Sequence, residues 1–159
     1  MYYFYLDKLQ LPVPPASLSM QISGQNKTVN LINDGEINII KQPGLTDISF
    51  DFMIPHTKYP FANYGTGGYI GAKAVLDFLE RLKTQLKPFQ FIVTRMQGSK
   101  KLLHSTNIKV TLETYDITES ADNGLDMMCS VKLKQYRPYS TKILVTDANG
   151  NATTKRTRG

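Results

Sequence analysis

The 159-residue chain reads as mainly β with one helix: an antiparallel β-sandwich or barrel with the helix packed alongside. Three observations predict that class. Apolar and polar residues alternate with a period of two through most of the chain, as half-buried strands require. Two turn signals, Asn33-Asp34-Gly35 and Asp122-Asn123-Gly124, each separate two alternating runs, and such pairs mark hairpins because type I′ turns need residues comfortable at positive φ. Only one segment carries apolar residues at three- and four-residue spacing.

The elements follow in order. Tyr3, Tyr5 and, past an Asp7-Lys8 turn, Leu9 and Leu11 predict a first strand or hairpin. Pro12-Val13-Pro14-Pro15 forces an extended or turning connection, since proline lacks a donor and restricts its predecessor. Leu18, Met20 and Ile22 form a second alternating strand. Lys27 to Ile32, Glu36 to Ile40 and Leu45 to Ile54 follow as three more, and in the last Ile48, Phe50, Phe52 and Ile54 face one way. Pro55 to Gly71 is broken by two prolines and four glycines and reads as a long loop of the kind that usually carries function. Val75, Phe78, Leu79, Leu82 and Leu86 predict a helix over about 70–86, stopped by Pro88. Phe89 to Thr94 reads as a strand, Gly98-Ser99-Lys100 as a turn, Ile108 to Ile117 and Leu125 to Gln135 as a long hairpin. Residues 1–144 make one domain, and 145–159 a polar basic tail or linker, extended and ordered only against a partner.

Composition narrows the function. Apolar content of 41% and charged content of 20% are ordinary for a globular domain. The single Cys129 cannot form an internal bridge and reads as a small buried apolar residue. With no signal peptide at its amino terminus and no run long enough to span a bilayer, the chain is expected to be made reduced, in the cytoplasm, with no membrane partner. The net charge of +6 is spread thinly, with Lys100-Lys101 the one adjacent basic pair before the tail. No segment interleaves Arg with stacking aromatics, so a solvated basic surface is expected rather than a nucleic-acid groove.

Chemical motifs fail on inspection. Gly65-Thr66-Gly67-Gly68-Tyr69-Ile70-Gly71-Ala72-Lys73 lies before a helix, where a phosphate loop belongs, but Gly-Lys-Ser/Thr is missing and Ile70 occupies the third glycine of a dinucleotide fingerprint. His56 and His104 lack zinc-ligand spacing with the lone cysteine. Asp47 and Asp51 share the polar face of one strand, and no Gly-x-Ser-x-Gly elbow occurs. The expectation is a non-enzymatic protein without cofactor or metal. What stands out is aromatic: Tyr59, Phe61, Tyr64 and Tyr69 crowd a glycine-bearing loop, where an interface role and a packing role are both open, and Tyr136 and Tyr139 flank Arg137.

Three stretches, NKTVNLINDGEINIIKQPGLTDISFDFMIPHTKYPFA, YYFYLDKLQLPVPPASLSMQI and DNGLDMMCSVKLKQYRPYSTKIL, together resemble the amino-terminal domain of the LysM-bearing baseplate proteins of contractile phage tails, defective prophages and R-type bacteriocins. The resemblance implies a tail-tube-type β domain and a structural baseplate role. The part would be a tube-initiator or adaptor ring between the hub and the tube or wedges, located in the phage or bacteriocin particle. It implies a hexameric ring whose strands join a continuous inner barrel, with DNA passing through the lumen. Such proteins usually end in a LysM module, which would follow Gly159 in a longer form. Two alternatives stand beside this reading: a peptidoglycan-binding, LysM-linked tail protein, and a nucleic-acid-binding β-barrel. On the ring reading the interface residues are Tyr59, Phe61, Tyr64, Tyr69, Lys132, Lys134, Tyr136, Arg137 and Tyr139. Lys109, Glu113, Lys132 and Lys134 are expected on a polar, lumen-facing side of the long hairpin, opposite Ile108, Val110, Leu112, Val131 and Leu133.

Overall fold

A computed structural model describes residues 1–33, 35–98, 101–139, 142–146 and 152–156, with side chains as far as Tyr139 apart from Thr66. Eleven strands and one α-helix appear among them. They are β1 (Tyr2–Leu6), β2 (Leu9–Gln10), β3 (Leu18–Ile22), β4 (Lys27–Leu31), β5 (Gly35–Ile39), β6 (Thr46–Ile54), α1 (Ala72–Thr84), β7 (Phe89–Met96), β8 (Leu102–Glu119), β9 (Met127–Gln135), β10 (Lys142–Thr146) and β11 (Ala152–Arg156). Seven strands make one antiparallel sheet in the order β2-β1-β7-β8-β9-β6-β3, while β4-β5 and β10-β11 are separate two-stranded sheets.

The sheet closes over its own core. Phe4 on β1 and Phe50 on β6 lie four strand spacings apart in the sheet order, about 19 Å if it were flat, yet their rings are 6.3 Å apart. Phe50 also stacks on Phe91 of β7 at 5.5 Å. The sheet therefore curls until its β1-β7 half covers its β9-β6 half, the barrel-like solution that alternating strands were expected to reach. Phe4, Leu6, Phe91, Val93, Val110, Ile48, Phe52, Cys129, Val131 and Leu133 fill the interior. On β1 it is Phe4 and Leu6 that point inward, with Tyr3 and Tyr5 half-buried on the other face.

β8 makes the curl possible. Its first half, to Val110, pairs with β7, and its second half, from Val110 to Glu119, pairs with β9, with an irregularity between Leu112 and Thr114. A bulge bends a strand and sharpens its twist, which suits the point where one strand leaves one neighbour for another. There α1 closes the gap: Val75, Leu79 and Leu82 are buried, and the Lys83 ammonium donates to the Leu112 and Glu113 carbonyls, carbonyls with no β7 partner to accept from.

Two expectations require correction. Leu86 does not extend the helical face; α1 ends at Thr84, and Leu86 sits at φ 51 and 89% exposed. Pro88 drives Lys87 out of the helical region, so the chain must turn one residue earlier than apolar spacing suggests. The tail is not simply extended either. β10 crosses the proposed boundary at 144 and pairs with β11, from Lys142↔Arg156 to Thr146↔Ala152. The β-branched content of both segments, Ile143, Val145, Thr146, Thr153 and Thr154, favours strand more than overall polarity opposes it. Asp34, Ser99, Lys100 and residues 140–141, 147–151 and 157–159 lie outside the described residues, and with them the tip of the first hairpin signal and half of the Lys100-Lys101 pair.

Candidate functional site

The nine residues expected at an interface fall in three places. The first is the 55–69 loop, which turns out to be tied to the body by its own polar groups. Asp126, 6% exposed just before β9, accepts from the His56 amide at 2.9 Å and from the Tyr59 hydroxyl at 2.7 Å. Tyr64 Oη accepts from the Tyr59 amide at 2.8 Å. The Tyr69 hydroxyl donates to the His56 carbonyl at 2.5 Å. Tyr64 and Tyr69 meet edge to face. Three of the four aromatics thus hold the loop's own conformation, and Phe61, stacked on Tyr59 at 5.0 Å and 66% exposed, is the one that presents an apolar ring outward. Gly65 completes the fit: it adopts φ 59, and a Cβ there would stand 2.5 Å from the Gln10 amide oxygen.

The second place is the sheet's open face. Register puts Asp47 opposite Lys134, Ser49 opposite Lys132 and Asp51 opposite Ser130, with Thr111, Thr114 and Asp116 beside them on β8 and Ser19 and Gln21 on β3. Val110, Leu112, Val131 and Leu133 are buried on the reverse side, which is the division the sequence predicts for the long hairpin. Lys134 pairs with Asp47 at 3.3 Å, both half-exposed. Lys132 and Lys134 share this face with Asp47, Asp51, Glu113 and Asp116, so it is not a basic track. A shallow groove of about 390 Å³ runs over it, lined by Asp47, Ser49, Glu113, Thr114, Lys132 and Lys134 among others.

The third place is the chain after β9. Lys109 lies over the Tyr136 ring at 5.7 Å. Arg137 donates to the Pro43 and Gly44 carbonyls, while Tyr139 is 84% exposed. Arg137 thereby clamps the root of the β4-β5 hairpin, whose other ties are the Gly44 amide to the Ser23 carbonyl and the Lys41 amide to Asn26 Oδ1.

That hairpin carries a feature that residue types alone do not single out. Register sets Val29 opposite Ile37 and Lys27 opposite Ile39, with Leu31 opposite Gly35. Lys27, Val29, Leu31, Ile37 and Ile39 therefore share one face, and Thr28, Asn30, Glu36 and Asn38 the other. Its strands pack almost wholly on each other, so Leu31, Ile37 and Ile39 stay about 40% exposed and Ile32 and Ile40 more so. The signal was present as two alternating runs; alternation alone does not say whether the apolar face is covered. Asp126 was missed because a carboxylate before a strand looks like a turn residue.

His56 and His104 are both exposed on separate elements, and among the described residues no three His, Cys, Asp or Glu side chains stand close enough to hold a metal ion. Burial, with Asp116 and Asp51 nearby, pushes the Cys129 thiol up to about 12, far from nucleophilic at neutral pH. No helix among the described residues is long and apolar enough to cross a membrane.

Comparison with known proteins agrees with the fold. No family model matches the chain. It is 31% identical over 136 residues to the uncharacterized protein YqbP of Bacillus subtilis (strain 168), covering 86% of this chain but 58% of YqbP. Among solved structures it superposes on a chain of the sheath-tube complex of the extracellular contractile injection system PVC, with TM-score 0.58 and 12% identity over 86% of this chain and 84% of that one. The PVC sheath/tube terminator gives 0.58 at 13% identity, covering 86% and 89%. The SPP1 tail tube gives 0.51 at 13% identity, covering 84% and 71%. At such identities the likeness establishes a shared fold, the mainly antiparallel β architecture with one helix found in tail-tube proteins.

Proposed function

We propose that this chain is a non-enzymatic structural subunit of a phage-type tail or contractile injection particle. It would form a ring, hexameric on the resemblance stated above, and act as tube initiator or adaptor between the hub and the tube or wedges. The observation that carries the reading is the uncovered polar face spanning β8, β9, β6 and β3, on a fold shared with tube and tube-terminator subunits. A curled sheet that buries one face and leaves the other wide, hydrated and bounded by the edge of β3, unpaired among the described residues, suits a wall segment repeated around a lumen. Edges of this kind are hazards for a monomer unless a neighbour pairs with them.

The mixed charge of the open face, with four carboxylates beside Lys132 and Lys134, supports a lumen past which DNA slides rather than one that grips it, and counts against the nucleic-acid-binding barrel. Phe61 and Tyr139, exposed outside the sheet, are the aromatics best placed for neighbouring proteins. The peptidoglycan-binding alternative rests on the LysM module that the resemblance implies, and on no feature of the domain described here.

Electron microscopy of the purified chain, alone and mixed with extracts of the particle, tests the reading. Annular particles with a central channel, and no salt-sensitive affinity for DNA, are expected. A chain that stays monomeric at every concentration and is absent from purified particles overturns it, and steeply salt-dependent DNA binding would favour the barrel instead.

A further inference from the structure

We infer that the Lys83 side chain is a releasable guard on an open strand edge. By occupying the Leu112 and Glu113 carbonyls it keeps the second half of β8 from pairing with a strand of a second copy until the ammonium swings away. The inference rests on the self-assembly reading above, and its test separates the two.

The edge arises because β8, eighteen residues long, changes neighbour halfway. Phe89↔Val110 is the last pair it makes with β7, and from Thr111 to Glu119 its one strand partner among the described residues is β9. The bulge between Leu112 and Thr114 kinks the start of this stretch, but from Thr114↔Lys132 to Glu119↔Met127 the register with β9 is regular. Over that length every second residue turns its amide and carbonyl away from β9.

The stretch is well suited to pair again. Thr114, Tyr115, Ile117 and Thr118 are strand formers. Ile117 shares a face with the buried Cys129 across the register, yet keeps 42% of its surface in water, so an added strand would find apolar area to cover. Edges are commonly blunted by a lysine, a proline or a very short strand. The other margin on the β1 side, β2, is two residues long. Residues 114–119 are longer and hold neither Lys nor Pro, and their charges, Asp116 and Glu119, project from opposite faces of the sheet rather than along its edge.

The lysine comes instead from α1. Lys83 Nζ donates to the Leu112 carbonyl at 3.3 Å and to the Glu113 carbonyl, at the corner where β8 parts from β7. A groove of about 310 Å³, lined by Leu82, Lys83, Leu86, Lys87, Leu112 and Glu113 among others, runs between the end of α1 and this corner. Lys83 therefore reaches the carbonyls across an open cleft, and a strand running along β8 into the cleft meets an ammonium where it needs acceptors. The contact is reversible. Lys83 is exposed and carries its donors on a flexible four-carbon stem, so rotation of that stem frees both carbonyls while Val75, Leu79 and Leu82 stay buried.

The test compares Lys83→Met, which keeps an unbranched stem and loses the donors, with Lys83→Arg, which keeps donors. Self-association of the full chain is followed by light scattering and sedimentation, and the products are imaged. Lys83→Met is expected to associate about tenfold faster than wild type, the factor for one charge-assisted bond that must break before pairing. Lys83→Arg should return to the wild-type rate, and amides over 114–119 should gain exchange protection in the Lys83→Met product. Asp126→Ala serves as a variant weakened far from this edge; if it speeds association as much, lost stability is the cause and the guard is overturned. Annular particles forming equally fast from wild type and Lys83→Met overturn the guard and leave the ring reading standing. Faster association without annular particles, protected over 114–119, supports the guard and overturns the ring. If neither protein associates, the edge has no pairing to withhold and both readings fall.

Discussion

The body sheet and the β4-β5 hairpin are written in the same alternating pattern and end in opposite circumstances. On β6, Ile48, Phe50, Phe52 and Ile54 are each at most 3% exposed, because a curled sheet and a helix lie over them. On the hairpin, Ile37 and Ile39 keep 40% and 42% of their surface in water, because the ribbon has only its other strand for company. An isolated two-stranded ribbon is marginal in water, and the Arg137 clamp and backbone ties at its root hold its position without covering its face. Alternation therefore specifies a face and leaves open what covers it. Where the described residues offer no cover, the face is left to water.

Placing one charge in each region breaks this comparison most sharply. Val131→Asp or Val110→Asp buries an unpaired carboxylate in a dry core, and nothing nearby can solvate it. Both should abolish cooperative folding and, with it, assembly, as seen in the loss of a thermal transition by circular dichroism. The same change at Ile37 should leave the midpoint within about 2 °C, since surface substitutions usually cost under about 0.5 kcal/mol. If Ile37→Asp also unfolds the chain, the hairpin is part of the folding core and the contrast fails.

A cavity tests how far the curl itself matters. Phe50 contacts Phe4, Phe52 and Phe91, so it bridges the two halves of the sheet. Phe50→Ala should cost about 3–5 kcal/mol by urea denaturation. A loss nearer 1 kcal/mol would mean that the halves are not packed on each other through this ring.

The loop over 55–69 stands between the two regions, and Asp126 decides which it resembles. Asp126→Ala leaves the Tyr59 hydroxyl and the His56 amide without their acceptor, a loss of about 1–3 kcal/mol. Amide exchange across the loop should accelerate together with that loss. Fast exchange in the wild-type protein would show the loop to be free, and the tyrosines then return as assembly contacts.

The sequence made much of this legible. The faces of β6, β8 and β9, the Asp7-Lys8 turn, the pairing of β4 with β5 and of β8 with β9, and the burial of Cys129 follow from local rules, since a period of two leaves few choices once one face is apolar. What could not be read were facts that depend on distant partners. The curl needs Phe4 to meet Phe50, and no local pattern encodes a contact between the first strand and the sixth. The acceptors of Tyr59 and Tyr69, Asp126 and a backbone carbonyl, are likewise identified only by the fold. Leu86 matched the helical spacing, and Pro88 overruled it.

Cys129 sharpens the description of the core by pH. Its folded-state value near 12 exceeds the usual 9.0, so between these values the unfolded chain releases a proton that the folded chain keeps. Stability is then full below about pH 9 and falls as pH rises toward 12. Cys129→Ala removes this term, so the stability gap between wild type and variant should narrow above pH 9. A gap constant with pH would place the thiol in contact with water.

The smallest effect belongs to a third kind of surface, neither covered like the body's core nor apolar like the hairpin. Lys132 and Lys134 stand on the open polar face, where Lys134 and Asp47 are 42% and 51% exposed at 3.3 Å. A pair so hydrated is worth under about 1 kcal/mol, because water and salt screen it and two long side chains must be held still. Lys132→Glu and Lys134→Glu should therefore leave stability within about 0.5 kcal/mol, the second costing slightly more because it places two carboxylates together on adjacent strands. Self-association should also persist if the face lines a hydrated lumen, since no neighbour then touches these ammonium groups. Sedimentation of both variants against wild type measures it. Assembly lost with the fold intact would move this face from lumen to interface, and the mixed acid and base across β6, β8 and β9 would then be read as a docking code.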